Sequence, residues 1–140
     1  MTTAVITLSN AGAALAARLA VEMGPCDIYL HNTVARRFHG ERFDAVVALT
    51  RSLFKTYREL VYIMPCGVVV RAIAGLVRHK TTDPAVVVLD AGGHYAVSLL
   101  SGHEGGANAL TLRVANTLAA EPVISTTTEA VRDVIVMIRP

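Results

Sequence analysis

The run Ser98-Leu99-Leu100-Ser101-Gly102-His103-Glu104-Gly105-Gly106-Ala107-Asn108 leaves the chain little choice of local structure. An apolar strand enters a turn with glycine at 102, 105 and 106, and a helix opens from it through Ala109-Leu110 to Ala119. Glycine lets the backbone bend sharply and lets a ligand approach with no Cβ in the way. A helix starting there aims free N–H groups and the positive end of its dipole into the turn. His103 and Glu104 share that anion-friendly spot.

The same strand–turn–helix grammar recurs along the chain. Ala4 to Leu8 predicts a strand, Ser9-Asn10-Ala11-Gly12 a turn and N-cap, and Ala13 to Met23 a helix stopped by Gly24-Pro25. Asp27 to His31 is a second strand, and the polar segment Asn32 to Arg42 reads as an exposed loop. Phe43, Val46, Val47, Phe54 and Tyr57 recur mostly at three- and four-residue steps, which favours a helix over a strand through Ala45–Leu49. Leu60 to Met64 is continuously apolar, as a parallel strand buried on both faces should be. It ends in Pro65-Cys66-Gly67, and Val68 to His79 continues as a helix with Arg71 in its first turn. Lys80 to Pro84 is a polar loop. Ala91-Gly92-Gly93 joins strands Ala85–Asp90 and His94–Leu100 as a hairpin. Pro122 to Ser125 is another strand, and Val134 to Ile138 reads as an edge strand.

This alternation predicts one α/β domain over residues 1–140: a three-layer Rossmann-like fold with a mostly parallel sheet and one antiparallel hairpin. In such folds ligands bind beyond the carboxyl ends of the strands. The expectation is therefore a single cleft, lined by Asn10 and Gly12, by Cys66, Gly67 and Arg71, by Gly102 to Asn108, and by Thr126 to Thr128.

Composition narrows the partners. The net charge of +2 and pI of about 8.7 are too mild for a nucleic-acid binder but suit a substrate bearing several carboxylates. The apolar window Leu60 to Val77 is broken by Pro65, two glycines and Arg71, so no membrane span is expected. Cys26 and Cys66 have neither metal-ligand nor disulfide spacing. Reduced thiols, with no basic signal segment at Met1-Thr2-Thr3, lead us to expect a cytoplasmic protein without a metal site.

Gly102-His103-Glu104-Gly105-Gly106 does not match the dinucleotide fingerprint, and the phosphate-loop lysine is missing. What remains is a donor-rich turn suited to a carboxylate or an oxyanion; a tight turn that needs glycine only for packing explains it equally well. His103 exchanges protons near neutral pH in the catalytic reading, oriented by Glu104, and caps the turn in the bland one. Arg71 either forks onto a carboxylate in the cleft or, in the bland reading, snorkels to the surface or pairs with Asp83. Cys66 reads as a small buried residue rather than a nucleophile.

Taken together, these motifs resemble the N-terminal domain of the CbiG family, the cobalt-precorrin-5A hydrolases of anaerobic cobalamin biosynthesis. The likeness runs through Leu60–Met64, Gly67–Ala74, Lys80–Val88, Val97–His103, Gly105–Asn108 and Pro122–Thr126. It is close over residues 60–128 and holds in outline before them. It implies hydrolytic opening of the δ-lactone of cobalt-precorrin-5A with loss of acetaldehyde, giving cobalt-precorrin-5B. In that light His103 and Glu104 would be catalytic. Gly67, Arg71, Lys80, Ser101, Gly102, Gly105, Gly106, Asn108, Thr126 and Thr127 would bind substrate. Cobalt would come with the substrate, so no cofactor is expected. Family members are commonly longer, with a central segment and a CobE-like C-terminal domain. A non-catalytic corrinoid-binding module working with a separately encoded CobE-like partner, or as a homodimer, is the alternative. Pro65-Cys66 stands where a small Ala-Thr-like pair is usual, and Ala130 to Pro140 departs from the usual continuation.

Overall fold

Strand β1 (Thr3–Thr7) is buried on both faces, and so, apart from Glu59, are the two strands that follow it at the centre of the sheet, β4 (Glu59–Ile63) and β5 (Ala85–Leu89). The computed structural model describes residues 2–126. Within them the order continues as α1 (Asn10–Glu22), β2 (Asp27–His31), β3 (Glu41–Phe43) and α2 (Val46–Leu53) before β4. After β4 come α3 (Cys66–Ile73), β5, β6 (Tyr95–Leu100), α4 (Ala107–Leu118) and β7 (Glu121–Val123). The strands form one sheet in the order β3-β2-β1-β4-β5-β6-β7.

Period-two alternation sends one set of side chains to each face. Val5, Val61, Ile63, Val87 and Leu89 pack under α1 and α4, against Leu19, Leu110 and Val114. Ala4, Ile6, Leu60, Tyr62 and Val86 pack on the other face under α2 and α3, against Leu53 and Val69. Two apolar cores on either side of a sheet make the expected three-layer α/β fold. Among the described residues, no helix is long and apolar enough to cross a membrane.

Several boundaries differ from expectation. Helix α1 starts at Asn10, so Ser9, Asn10 and Gly12 are its cap and first turn rather than a loop. The Ser9 hydroxyl accepts the Gly12 N–H at 3.0 Å. The segment read as an exposed loop ends in β3, which pairs with β2 and takes Phe43 out of the expected helix. Three residues are too few for a period to register. Arg42 organises what precedes them, its guanidinium donating to the carbonyls of Val34 at 2.6 Å and of Ala35 and Phe38 at 3.0 Å. Helix α3 stops at Ile73, well short of His79, which places Arg71 in its last turn rather than its first. The expected strand at Val134 to Ile138 lies outside the described residues.

Strand direction matters most for function. β1 to β5 are all parallel, but β6 runs back along β5, with Ala96 opposite Leu89 and Leu100 opposite Val86. β7 follows β6 in parallel. The segment after β6 therefore emerges beside the amino ends of β4 and β5.

Candidate functional site

The reversal of β6 divides the expected cleft in two. Asn10, Gly12, Cys66 and Gly67 follow β1 and β4 at the carboxyl edge of the parallel strands. The glycine turn lies at the opposite, amino edge, where Ser101 Oγ donates to the carbonyl of Asp83 at 3.3 Å. At about 3.3 Å per strand residue, roughly 15 Å of sheet separates the two groups. Gly67 and Arg71 thus do not join the glycine turn. Arg71 is exposed on α3, and Asp83, its suggested partner, instead accepts the Arg78 backbone N–H with both carboxylate oxygens, at 2.9 and 3.1 Å. Cys66, expected to be buried, is exposed at the first position of α3.

In the glycine turn, crowding excludes a Cβ at Gly105, while at Gly106 the backbone angle favours glycine. Gly106 adopts φ +88°, in the left-handed region that glycine enters freely. A Cβ on Gly105 would lie 2.3 Å from the Ser101 Cβ. Ser101 itself holds a positive φ of 59°, fixed by its own carbonyl, which accepts the Ala107 N–H at 3.1 Å. The Gly102 carbonyl likewise accepts the Asn108 N–H at 2.9 Å. Two early helical donors are therefore spent inside the turn. The N–H groups of Gly105 and Gly106 make no backbone hydrogen bond among the described residues.

Side chains of the turn divide into two sets. Ser101 is buried, and Asn108 is engaged at both ends of its amide: Ser98 Oγ donates to Oδ1 at 2.8 Å, and Nδ2 donates to Thr126 Oγ1 at 2.9 Å. Ser98, Asn108 and Thr126 tie β6, α4 and the segment after β7 together. His103 and Glu104 are exposed, and the Glu104 carboxylate is met by Lys80, Nζ to Oε1 3.2 Å, rather than by His103. Thr127 lies outside the described residues.

Glu104 and Gly105 form one wall of an open cleft of about 740 Å³ at the amino edge. The segment before β4 supplies a second wall with Phe54, Lys55, Tyr57 and Arg58, and the segment before β5 a third with Leu76, Arg78 and Asp83. Phe54 and Tyr57 are themselves buried in the core, so the cleft is lined chiefly by polar and charged groups. Next to it, Arg113 pairs with Glu59 at 2.6 Å beside Arg58 and Gly105. Among the described residues, no cluster of three or more His, Cys, Asp or Glu side chains could hold a metal ion.

Sequence reasoning missed Lys55, Arg58, Arg78 and Asp83 as residues of this site. The signal was present in the hairpin at Ala91-Gly92-Gly93, because a reversed strand delivers its following turn to the amino edge. The residues just before β4 and β5 are the ones that wait there.

The chain as a whole is similar to several known proteins. The family model for the cobalamin synthesis G N-terminal region matches residues 48–129. A cobalt-precorrin-5A hydrolase of Salmonella typhimurium is 46% identical over 127 residues, covering 90% of this chain and 36% of that protein. One from Priestia megaterium is 39% identical over 131 residues, covering 90% and 35%. The chain thus spans about a third of the length of the curated relatives it matches. A cobalamin biosynthesis protein G homolog from Sulfolobus solfataricus, known from a crystal structure, shares the fold with a TM-score of 0.68 at 23% identity. That match covers 96% of this chain and 40% of that one.

Proposed function

The chain belongs to the cobalamin synthesis G N-terminal family, and from that premise we propose that it acts in opening the δ-lactone of cobalt-precorrin-5A, with the chemistry at the glycine turn. The observation that carries this is the likeness to two proteins named cobalt-precorrin-5A hydrolase, at 46% and 39% identity across 90% of the chain. The exposed His103, next in the chain to Glu104 on the wall of a cation-lined cleft, supports the placement.

In this reading His103 takes a proton from water as the water adds to the lactone carbonyl. The acyl C–O bond breaks, leaving a carboxylate on the macrocycle and the lactone oxygen on the two-carbon bridge. That oxygen becomes the aldehyde oxygen as the carbon–carbon bond to the macrocycle breaks, and the carbon left behind takes up a proton. Donors at Gly105 and Gly106 would stabilise the oxyanion formed when water adds. Lys80 would meet a peripheral carboxylate of the substrate, releasing Glu104 to the site. Cobalt enters as part of the substrate, and no further cofactor is required. A cleft this open covers only one side of a macrocycle, so a CobE-like partner or a second copy of the chain would complete the enclosure. Two free cysteines fit a reducing, cytoplasmic setting.

The test is acetaldehyde release from cobalt-precorrin-5A by this chain and by its His103→Ala variant. Release by the wild type, falling about 100-fold or more in the variant, is expected of a lost general base. No release by the wild type, despite a spectral shift on binding, would make the chain a corrinoid-binding subunit instead.

A further inference from the structure

The amino-edge cleft carries more positive charge than its own carboxylates answer. Lys55, Arg58 and Arg78 line it, and Lys80 stands at its mouth. Against these four cations stand Asp83, whose oxygens are held by the Arg78 backbone N–H, and Glu104, which is held by Lys80. Lys55 and Arg58 make no ion pair with any described residue. Phe54 and Tyr57 beside them are buried, each 8% exposed, so charge rather than aromatic surface faces the cleft.

We infer that Lys55, Arg58 and Arg78 form a carboxylate-binding subsite that grips the acidic periphery of a cobalt tetrapyrrole. The inference rests on the function proposed above and gives its substrate a binding edge. A ring system fringed with carboxylates is complementary in charge to a cleft rimmed with cations. Two of the cations are arginines, whose planar guanidinium can meet a carboxylate with two parallel hydrogen bonds. The cleft volume lies within the range of small-molecule sites, enough for an edge of the macrocycle. These cations come from the segments before β4 and β5, outside the glycine turn, so they set affinity without sitting at the reacting carbonyl.

The experiment is an absorbance titration of the chain with a cobalt corrinoid whose peripheral carboxylates are free, and with the same corrinoid fully methyl-esterified. The acid form should bind the wild type at least tenfold more tightly than the ester, with affinity falling as salt rises. Lys55→Ala/Arg58→Ala should weaken binding of the acid form about tenfold or more, given the strength of hydrogen bonds to charged groups. Arg36→Ala, which removes an equally exposed cation at the other edge of the sheet, should bind as the wild type does. Both substituted residues are exposed, and an unchanged circular dichroism spectrum checks the fold of the double variant. If the wild type binds and the double variant binds equally well, this subsite is wrong and the proposed function stands. Equal affinity for acid and ester overturns it in the same way. If the wild type binds neither corrinoid, both readings fall together.

Discussion

The Lys80 ammonium lies 3.2 Å from the Glu104 carboxylate, joining the loop before β5 to the glycine turn after β6. Both side chains are largely in water, 69% and 42% exposed, so the pair contributes little to stability. Its value is positional: it holds a cation and a carboxylate at the mouth of the cleft. Lys80→Ala should leave the melting temperature within about 1–2 °C of wild type. The same variant should raise KM for the carboxylate-bearing substrate several-fold, read in steady-state turnover. A large drop in melting temperature with unchanged KM would make the pair a structural brace.

Gly105 and Gly67 are predicted to respond in opposite ways to alanine. At Gly105 the new Cβ meets the Ser101 Cβ and carbonyl, and overpacking of this kind costs about 1–3 kcal/mol. At Gly67 nothing lies within 4 Å, and alanine in a helix is favoured over glycine by roughly 0.5–1 kcal/mol. Denaturant unfolding of the two variants should give midpoints on either side of the wild type.

Asn108 is spent on structure as much as Gly105 is. Truncation to alanine strands the Ser98 and Thr126 hydroxyls, each now paired with one end of its amide. The expected loss is about 1–3 kcal/mol in unfolding free energy. Amide exchange should quicken where β7 meets β6.

Alkaline pH should unfold the protein through two tyrosines. Burial pushes the Tyr62 phenol up to about 12, against a smaller opposing pull from its hydrogen bond with Thr50. Burial also raises Tyr57, helped by its hydrogen bonds to Asp27 at 2.5 Å and to Tyr29 at 2.8 Å. A raised acid stays neutral in the folded state while the unfolded chain ionises from about pH 10. The stability is therefore whole below pH 10 and is lost as pH rises toward 12, by roughly 2–3 kcal/mol for Tyr62. Urea midpoints between pH 9 and 12 should fall steeply for the wild type and more gently for Tyr62→Phe.

The sheet was legible where burial leaves a mark in the residues. The Leu60–Met64 run of β4 and the Val-rich β5 announce themselves as continuous apolar runs, and the hairpin announces itself through Gly92-Gly93. β3 leaves no such mark, because three residues at a sheet margin need only one buried side chain, Phe43. Helix α3 ends early although its apolar pattern persists through Leu76 and Val77. The glycine turn was legible as a turn, but its company was not. The rule that ligands gather at carboxyl ends holds for parallel strands, and β6 is antiparallel to β5. Its reversal separates His103 from Gly67 and sets the neighbouring Glu104 beside Lys80 and the cleft of Arg58 and Arg78.

The most direct measurement is single-turnover acetaldehyde release from cobalt-precorrin-5A by His103→Ala and Gly67→Ala, side by side with the wild type. Chemistry at the amino edge predicts a loss of about 100-fold or more for His103→Ala and turnover within about twofold of wild type for Gly67→Ala. Loss of turnover in Gly67→Ala with His103→Ala unimpaired would place the reaction at the carboxyl edge and contradict the account.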